Sequence, residues 1–248
     1  MTKTIYTKRS PLDSPTTSYE RIKLGFEVLD DALEGGFLKG TVNLVGGGAG
    51  SGKSIFSMQY LINGIEKYNE PGVYVSFEES ESRILHSFSR FKWNLQQKIK
   101  DKKLIILGYN PEQIEKVTQL GGGPLVDAIQ SIKAKRIVFD SLNAYIQLHQ
   151  DSLAQRKAAS KLFEAIRTWG VTALATAEQE PDPIVHVSNV MEFNVDSVTL
   201  FYNLRKGDIR QRSLEVFKAR STNHSARIMP FKIRPPEGIS VSRDESVF

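Results

Sequence analysis

The chain has no cysteine, which excludes disulfides and thiolate metal ligands. No segment approaches the roughly 18 uncharged apolar residues of a membrane-spanning helix. The opening MTKTIYTKRSPLDSPTTSYE has no apolar stretch of the kind a signal peptide needs. A cytoplasmic protein with no membrane partner is therefore expected. A large excess of charge of one sign is also lacking. With 33 Lys and Arg against 28 Asp and Glu, the net charge of +5 permits a nucleic-acid partner without requiring one. There are no internal repeats and no low-complexity blocks. What is present is 248 residues of 40% hydrophobic composition, enough to bury one α/β core and not demanding two.

Residues 1–20 are rich in Thr, Ser and Pro without periodicity and read as a flexible tail. One domain is expected over 21–235, followed by a frayed tail over 236–248. Leu24, Val28, Leu29 and Leu33 suggest a short helix ended by Gly35-Gly36. Strands are predicted at VYVSF, LIILGY (104–109), RIVFD (136–140) and VTALAT (171–176). Helices are predicted after Lys53, through Ile84, Leu85, Phe88 and Phe91, along Leu125, Ile129 and Ile132, and over 152–168. Residues 110–123 look irregular. This alternation predicts a mostly parallel sheet flanked by helices. After it, DSVTLFYNL, RSLEVFKAR and ARIMPFKIR read as added antiparallel strands, the first two joined by a hairpin at Arg205–Asp208.

The most informative stretch is Thr41–Ser54, TVNLVGGGAGSGKS. It matches G-x-x-x-x-G-K-[ST] with Gly47, Gly52, Lys53 and Ser54. A polyphosphate needs backbone N–H groups pointing inward, and side chains would block them. Gly47, Gly48, Ala49, Gly50, Ser51 and Gly52 supply that small-residue ring. Lys53 supplies the cation, Ser54 a hydroxyl for Mg²⁺, and Ile55 begins a helix whose dipole favours anions. The pattern points to Mg-ATP or a related triphosphate.

Hydrolysis also needs carboxylates. Asp140 ends an apolar strand, where it would approach Mg²⁺ through water, with Ser141 beside it. Glu78 and Glu79 follow the strand after the phosphate-loop helix, at the edge where such sheets bind ligands. Either would orient or deprotonate the attacking water.

Together these features resemble the KaiC-like branch of the RecA-type ATPases, from about Arg21 to Phe231. The most specific pieces are GAGSGKS, EPGVYVSFEES, VFDSL and KARSTNH. The resemblance implies a RecA-like core assembled as a ring, usually a hexamer, with ATP between subunits. Lys218, Arg220, Thr222 and His224 would then reach the nucleotide of the neighbouring subunit. The clock protein of this family carries two such domains, one with adjacent Ser and Thr phosphoacceptors. Glu192 and Phe193 stand in those places here, so autokinase activity is not expected.

Two other readings remain at this point. One is a DNA-binding accessory ATPase of the RadA-paralogue kind. Its second loop would be AEQEPDPIVHVSN, whose Glu178, Glu180 and Asp182 repel phosphates. The basic hairpin Arg205, Lys206, Arg210, Arg212 is the densest cationic run, a candidate nucleic-acid or protein contact. The other is an assembly scaffold that binds ATP with little turnover.

Overall fold

A computed structural model describes residues 19–182 and 184–243. Most of the expected N-terminal tail, residues 1–18, lies outside the described residues. The chain begins with a small antiparallel pair, β1 (Arg21–Ile22) and β2 (Phe37–Leu38), enclosing α1 (Glu27–Ala32). Five parallel units follow: β3 (Val42–Gly47), α2 (Lys53–Tyr68), β4 (Gly72–Ser76), α3 (Glu81–Ser87), α4 (Leu95–Lys100), β5 (Leu104–Gly108), α5 (Pro111–Leu120), α6 (Pro124–Ser131), β6 (Arg136–Asp140), α7 (Asn143–Ile146), α8 (Ser152–Thr168) and β7 (Thr172–Glu178). The chain then forms β8 (Ser197–Lys206), β9 (Ile209–Ala219), β10 (Met229–Arg234) and β11 (Gly238–Val241).

The main sheet has the order β11-β10-β9-β8-β3-β7-β6-β4-β5. From β5 to β8 the neighbours are parallel; from β8 to β11 they are antiparallel. Side chains alternate across the pleat, so Val73 and Val75 enter one core while Tyr74 enters the other. The first core packs α5, α6, α7 and α8 against one face; the second packs α1 and α2 against the other. Each fully buried Leu, Val or Phe contributes about 1.5–3 kcal/mol. The fold is thus the expected α/β type, with a RecA-like parallel core and antiparallel strands on the C-terminal side.

α2 is buried on nearly every side and carries polar groups that stitch it to its neighbours. Gln59 brackets Ile239, donating to its carbonyl at 3.1 Å and accepting from its amide at 2.6 Å. Asn63 donates to the Leu24 carbonyl at 3.0 Å. The Arg136 guanidinium is fully buried and compensated by Glu70 at 2.5 Å and by the carbonyls of Tyr60 and Lys23.

The structure changes several local expectations. Residues 111–120 are helical, not irregular: Asn110 accepts from the Gln113 amide at 2.9 Å, while the Gln113 side chain accepts from the Asn110 amide at 2.8 Å. This reciprocal cap, with Pro111 at the first helical position, outweighs the glycines that follow. α3 stops at Ser87, so Phe88 and Phe91 lie beyond it, and Leu24 precedes α1. β7 runs two residues further than VTALAT, to Glu178. Gly238–Val241, within the stretch read as a tail, pairs with β10 at the sheet edge.

Candidate functional site

The phosphate loop joins β3 to α2. At Gly47, a Cβ would stand 2.7 Å from Ser51 Oγ and 2.9 Å from Phe201 Cβ. Gly52 has φ +108°, and a Cβ there would meet Ile233 at 2.9 Å. Gly52 is the N-cap of α2 and no side chain caps that end, leaving first-turn N–H groups for an anion.

A cleft of about 550 Å³ opens over this loop. It is lined by Ala49, Gly50, Gly52, Lys53, Ser54 and Ile55 from the loop and α2, and by Glu78, Glu79, Asp140 and Ser141 from the ends of neighbouring strands. Residues separated by some ninety positions thus converge because β3, β4 and β6 all point their carboxyl ends the same way. Gly47, Gly48 and Ser51 belong to the loop without lining this cleft; Gly48 faces a second cavity bounded by Glu180, Tyr202, Asn203 and Arg210.

The Lys53 ammonium is held at 2.7 Å from the Gly47 carbonyl and 3.0 Å from that of Gly48. Burial lowers its pKa below the ordinary lysine value, an effect partly offset by Glu178, Asp140 and Glu78. A polyphosphate would replace the two carbonyls with stronger, charge-assisted partners. Glu78 and Glu79 are set by their own backbone: the Ser76 hydroxyl accepts from the Glu79 amide at 2.9 Å and from the Glu78 amide at 3.4 Å.

Asp140 receives a hydroxyl on each carboxylate oxygen. Tyr74 from β4 donates to Oδ2 at 2.5 Å, and Thr176 from β7 donates to Oδ1. Tyr74 is buried, and burial together with the Asp140 charge pushes its pKa well above 10, so it is a neutral donor. The buried Ser141 Oγ has no hydrogen-bond partner. These are hard oxygen groups, with one orphaned hydroxyl facing the same cleft, and they fit a Mg²⁺ shared with phosphate oxygens. Among the described residues no group of three or more His, Asp or Glu would hold a metal alone.

Sequence reading missed Tyr74, Ser76, Glu178, Arg212 and Ile233, which also line the cleft. Arg212 was assigned to a basic hairpin. Its Nε instead donates to the Gly50 carbonyl at 3.2 Å, while Arg210 donates to Asn203 O and Arg205 to Gly207 O. The cationic run is therefore split, one member facing the phosphate loop.

Lys218, Arg220, Thr222 and His224 do not line the cleft. β9 runs antiparallel to β8 and places Lys218 opposite Val198, which pairs with Leu44 of β3. The segment therefore leaves the sheet at the end away from Gly47. Lys218 Nζ donates to the carbonyls of Glu192 (2.7 Å) and Val195 (2.9 Å), and Arg220 to that of Phe193 at 3.0 Å. The Thr222 hydroxyl accepts from Arg21 at 3.2 Å, and His224 Nδ1 lies 3.2 Å from the Ser225 carbonyl. Glu192 itself is buried, bonded to Gln179 at 3.0 Å and His186 at 2.8 Å.

Comparison with known proteins agrees with this geometry. The family model described as the KaiC ATPase matches residues 22–246. The circadian clock oscillator protein KaiC of Parasynechococcus marenigrum is 34% identical over 232 residues, 90% of this chain and 44% of that protein. Its counterpart from Nostoc sp. is 36% identical over 222 residues, 86% of this chain and 43% of that protein. The chain thus spans less than half the length of these relatives. The crystal structure of a KaiC-like protein from the archaeon Pyrococcus horikoshii superposes with TM-score 0.79 at 29% identity, covering 91% of this chain and all of that one. The chain belongs to the KaiC family of ATPases.

Proposed function

We propose that this KaiC-family chain is a Mg²⁺-dependent ATPase that works as a ring, most simply a hexamer, with each nucleotide held between two subunits. The observation that carries this reading is the separation within one chain of two sets of residues. Lys53, Ser54, Glu78, Glu79 and Asp140 share the cleft, whereas Lys218 and Arg220 are anchored at the far end of the sheet. From Leu44, the register partner of the Lys218 level, to Gly47 is about 10 Å along a strand. Cations so placed serve a neighbour's triphosphate better than their own.

In this mechanism the Gly47–Ser54 loop binds the phosphates and Lys53 neutralises the outermost ones. Ser54 and, through water, Asp140 would hold Mg²⁺, and the ion would supply neutralisation of the charge that develops on the phosphate oxygens. Glu78 or Glu79 orients the attacking water and accepts its proton. Ile55 lines the cleft beside them. Lys218 and Arg220 of the adjacent subunit stabilise the transition state, with Thr222 and His224 completing the neighbour's side. Self-phosphorylation is not part of this reading, because Glu192 and Phe193 offer no hydroxyl and the buried Ser197 hydroxyl is committed to Asn43 at 2.7 Å. The catalytic unit is taken to span residues 21–235, with the ordered edge strand β11 beyond it.

A mixing experiment tests the shared site. Lys53→Ala and Arg220→Ala subunits are each expected to be inactive alone. In equimolar mixed rings, an Arg220→Ala phosphate loop meets an intact arginine in about a quarter of interfaces, as for any head-to-tail ring with random neighbours. Turnover should recover to about a quarter of wild type. No recovery, with mixed assembly confirmed by sedimentation, would refute catalysis between subunits.

A further inference from the structure

Asp140, one of the two side chains assigned to the metal, needs a fixed orientation. Tyr74 supplies it. Its hydroxyl donates to Asp140 Oδ2 at 2.5 Å. Tyr74 is itself buried among core residues on the α2 side of the sheet, so its ring has little freedom.

We propose that Tyr74 is a positioning residue whose hydroxyl orients the Asp140 carboxylate and thereby raises the affinity of the site for divalent cation. The proposal rests on the ATPase reading above, and it concerns orientation alone. With Thr176 on Oδ1 and Tyr74 on Oδ2, the Asp140 carboxylate is fixed in rotation. Its remaining lone pairs would then be available to waters of the ion. Outer-shell partners of a metal site typically alter metal affinity about 10- to 100-fold when lost, and Tyr74, acting through Asp140 and its water, belongs at the low end of that range.

Tyr74→Phe removes the hydroxyl and keeps the ring. Two measurements are made on the full chain: nucleotide affinity without metal, using a fluorescent ADP in EDTA, and Mn²⁺ affinity of the ADP complex by electron paramagnetic resonance. The expected result is metal-free nucleotide binding within about twofold of wild type and Mn²⁺ binding weakened about tenfold. Mn²⁺ affinity within twofold of wild type overturns the proposal. So does an equal loss of metal-free binding, which would make the hydroxyl a support of the fold. If wild type itself bound no nucleotide, the ATPase reading would fail first, an outcome distinct from either.

Discussion

The cleft and the 218–224 segment achieve rigidity by opposite means. The cleft is made from the ends of buried parallel strands, where the register of β3, β4, β6 and β7 fixes Lys53, Glu78, Asp140 and Glu178 together. The 218–224 segment leaves the sheet and is held by carbonyls of the 192–195 turn and by the first strand pair. One is pre-formed for a ligand; the other, in the proposed ring, would be pre-formed for a partner. Changes in the first should act on binding and chemistry within a subunit, and changes in the second only within an assembly.

The largest expected effect lies in the cleft. Lys53→Ala removes the cation that bridges the carbonyls of Gly47 and Gly48. ATP affinity by calorimetry should fall at least about 100-fold, equivalent to roughly 2.8 kcal/mol. Binding within tenfold of wild type would break the comparison at its first term. Next comes Glu78→Gln combined with Glu79→Gln, which should leave binding within about threefold while lowering turnover about 10²- to 10⁴-fold. Retained hydrolysis in that double variant would remove both acids from the mechanism.

The smallest effect sharpens the partner side. Burial, then Arg220, hold the Lys218 pKa below the usual lysine value, with Asp196 and Glu192 partly opposing. Its ammonium is therefore lost at lower pH than in the unfolded chain. For stability the sign is favourable with rising pH: between the depressed folded pKa and 10.5 the unfolded chain binds more protons, so this group's penalty disappears there. For activity the sign is opposite, since catalysis needs the cation. Turnover of the assembly should decline on the alkaline side before an ordinary lysine titrates, and Lys218→Arg should move that decline upward. An unchanged alkaline limb would assign the decline to Lys53, whose pKa burial also lowers, and remove Lys218 from it.

The phosphate loop and the acids were legible because each is a contiguous signature at a strand end. Asp140 needed only the apolar run before it. Glu178 was not legible in the same way, since its role depends on β7 extending two residues past the apolar core. Arg212 was misassigned because its partner is set by pairing with Asn203 and Phe231, a register no local pattern reveals. Tyr74 looked like one more buried strand residue; only the neighbouring strands place hydroxyl and carboxylate together. The α5 cap was the opposite failure. Asn110, Pro111 and Gln113 carried a readable helix start, and the glycines after it drew the eye.

One feature of the sheet bears on the size of any ring. β8 pairs with β3 on one side and β9 on the other. The loop that takes the nucleotide and the strand that presents Lys218 are thus two ladder spacings apart, about 10 Å across hydrogen-bonded backbone. That path runs through hydrogen-bonded strands, with one register shift between Val198 and Thr199. In the proposed ring, the angle between a subunit's receiving edge and its donating edge would then follow the twist of the sheet, about 20–25° per strand pair. Curvature, and with it the number of subunits that close a circle, would be written into backbone geometry before any two subunits meet.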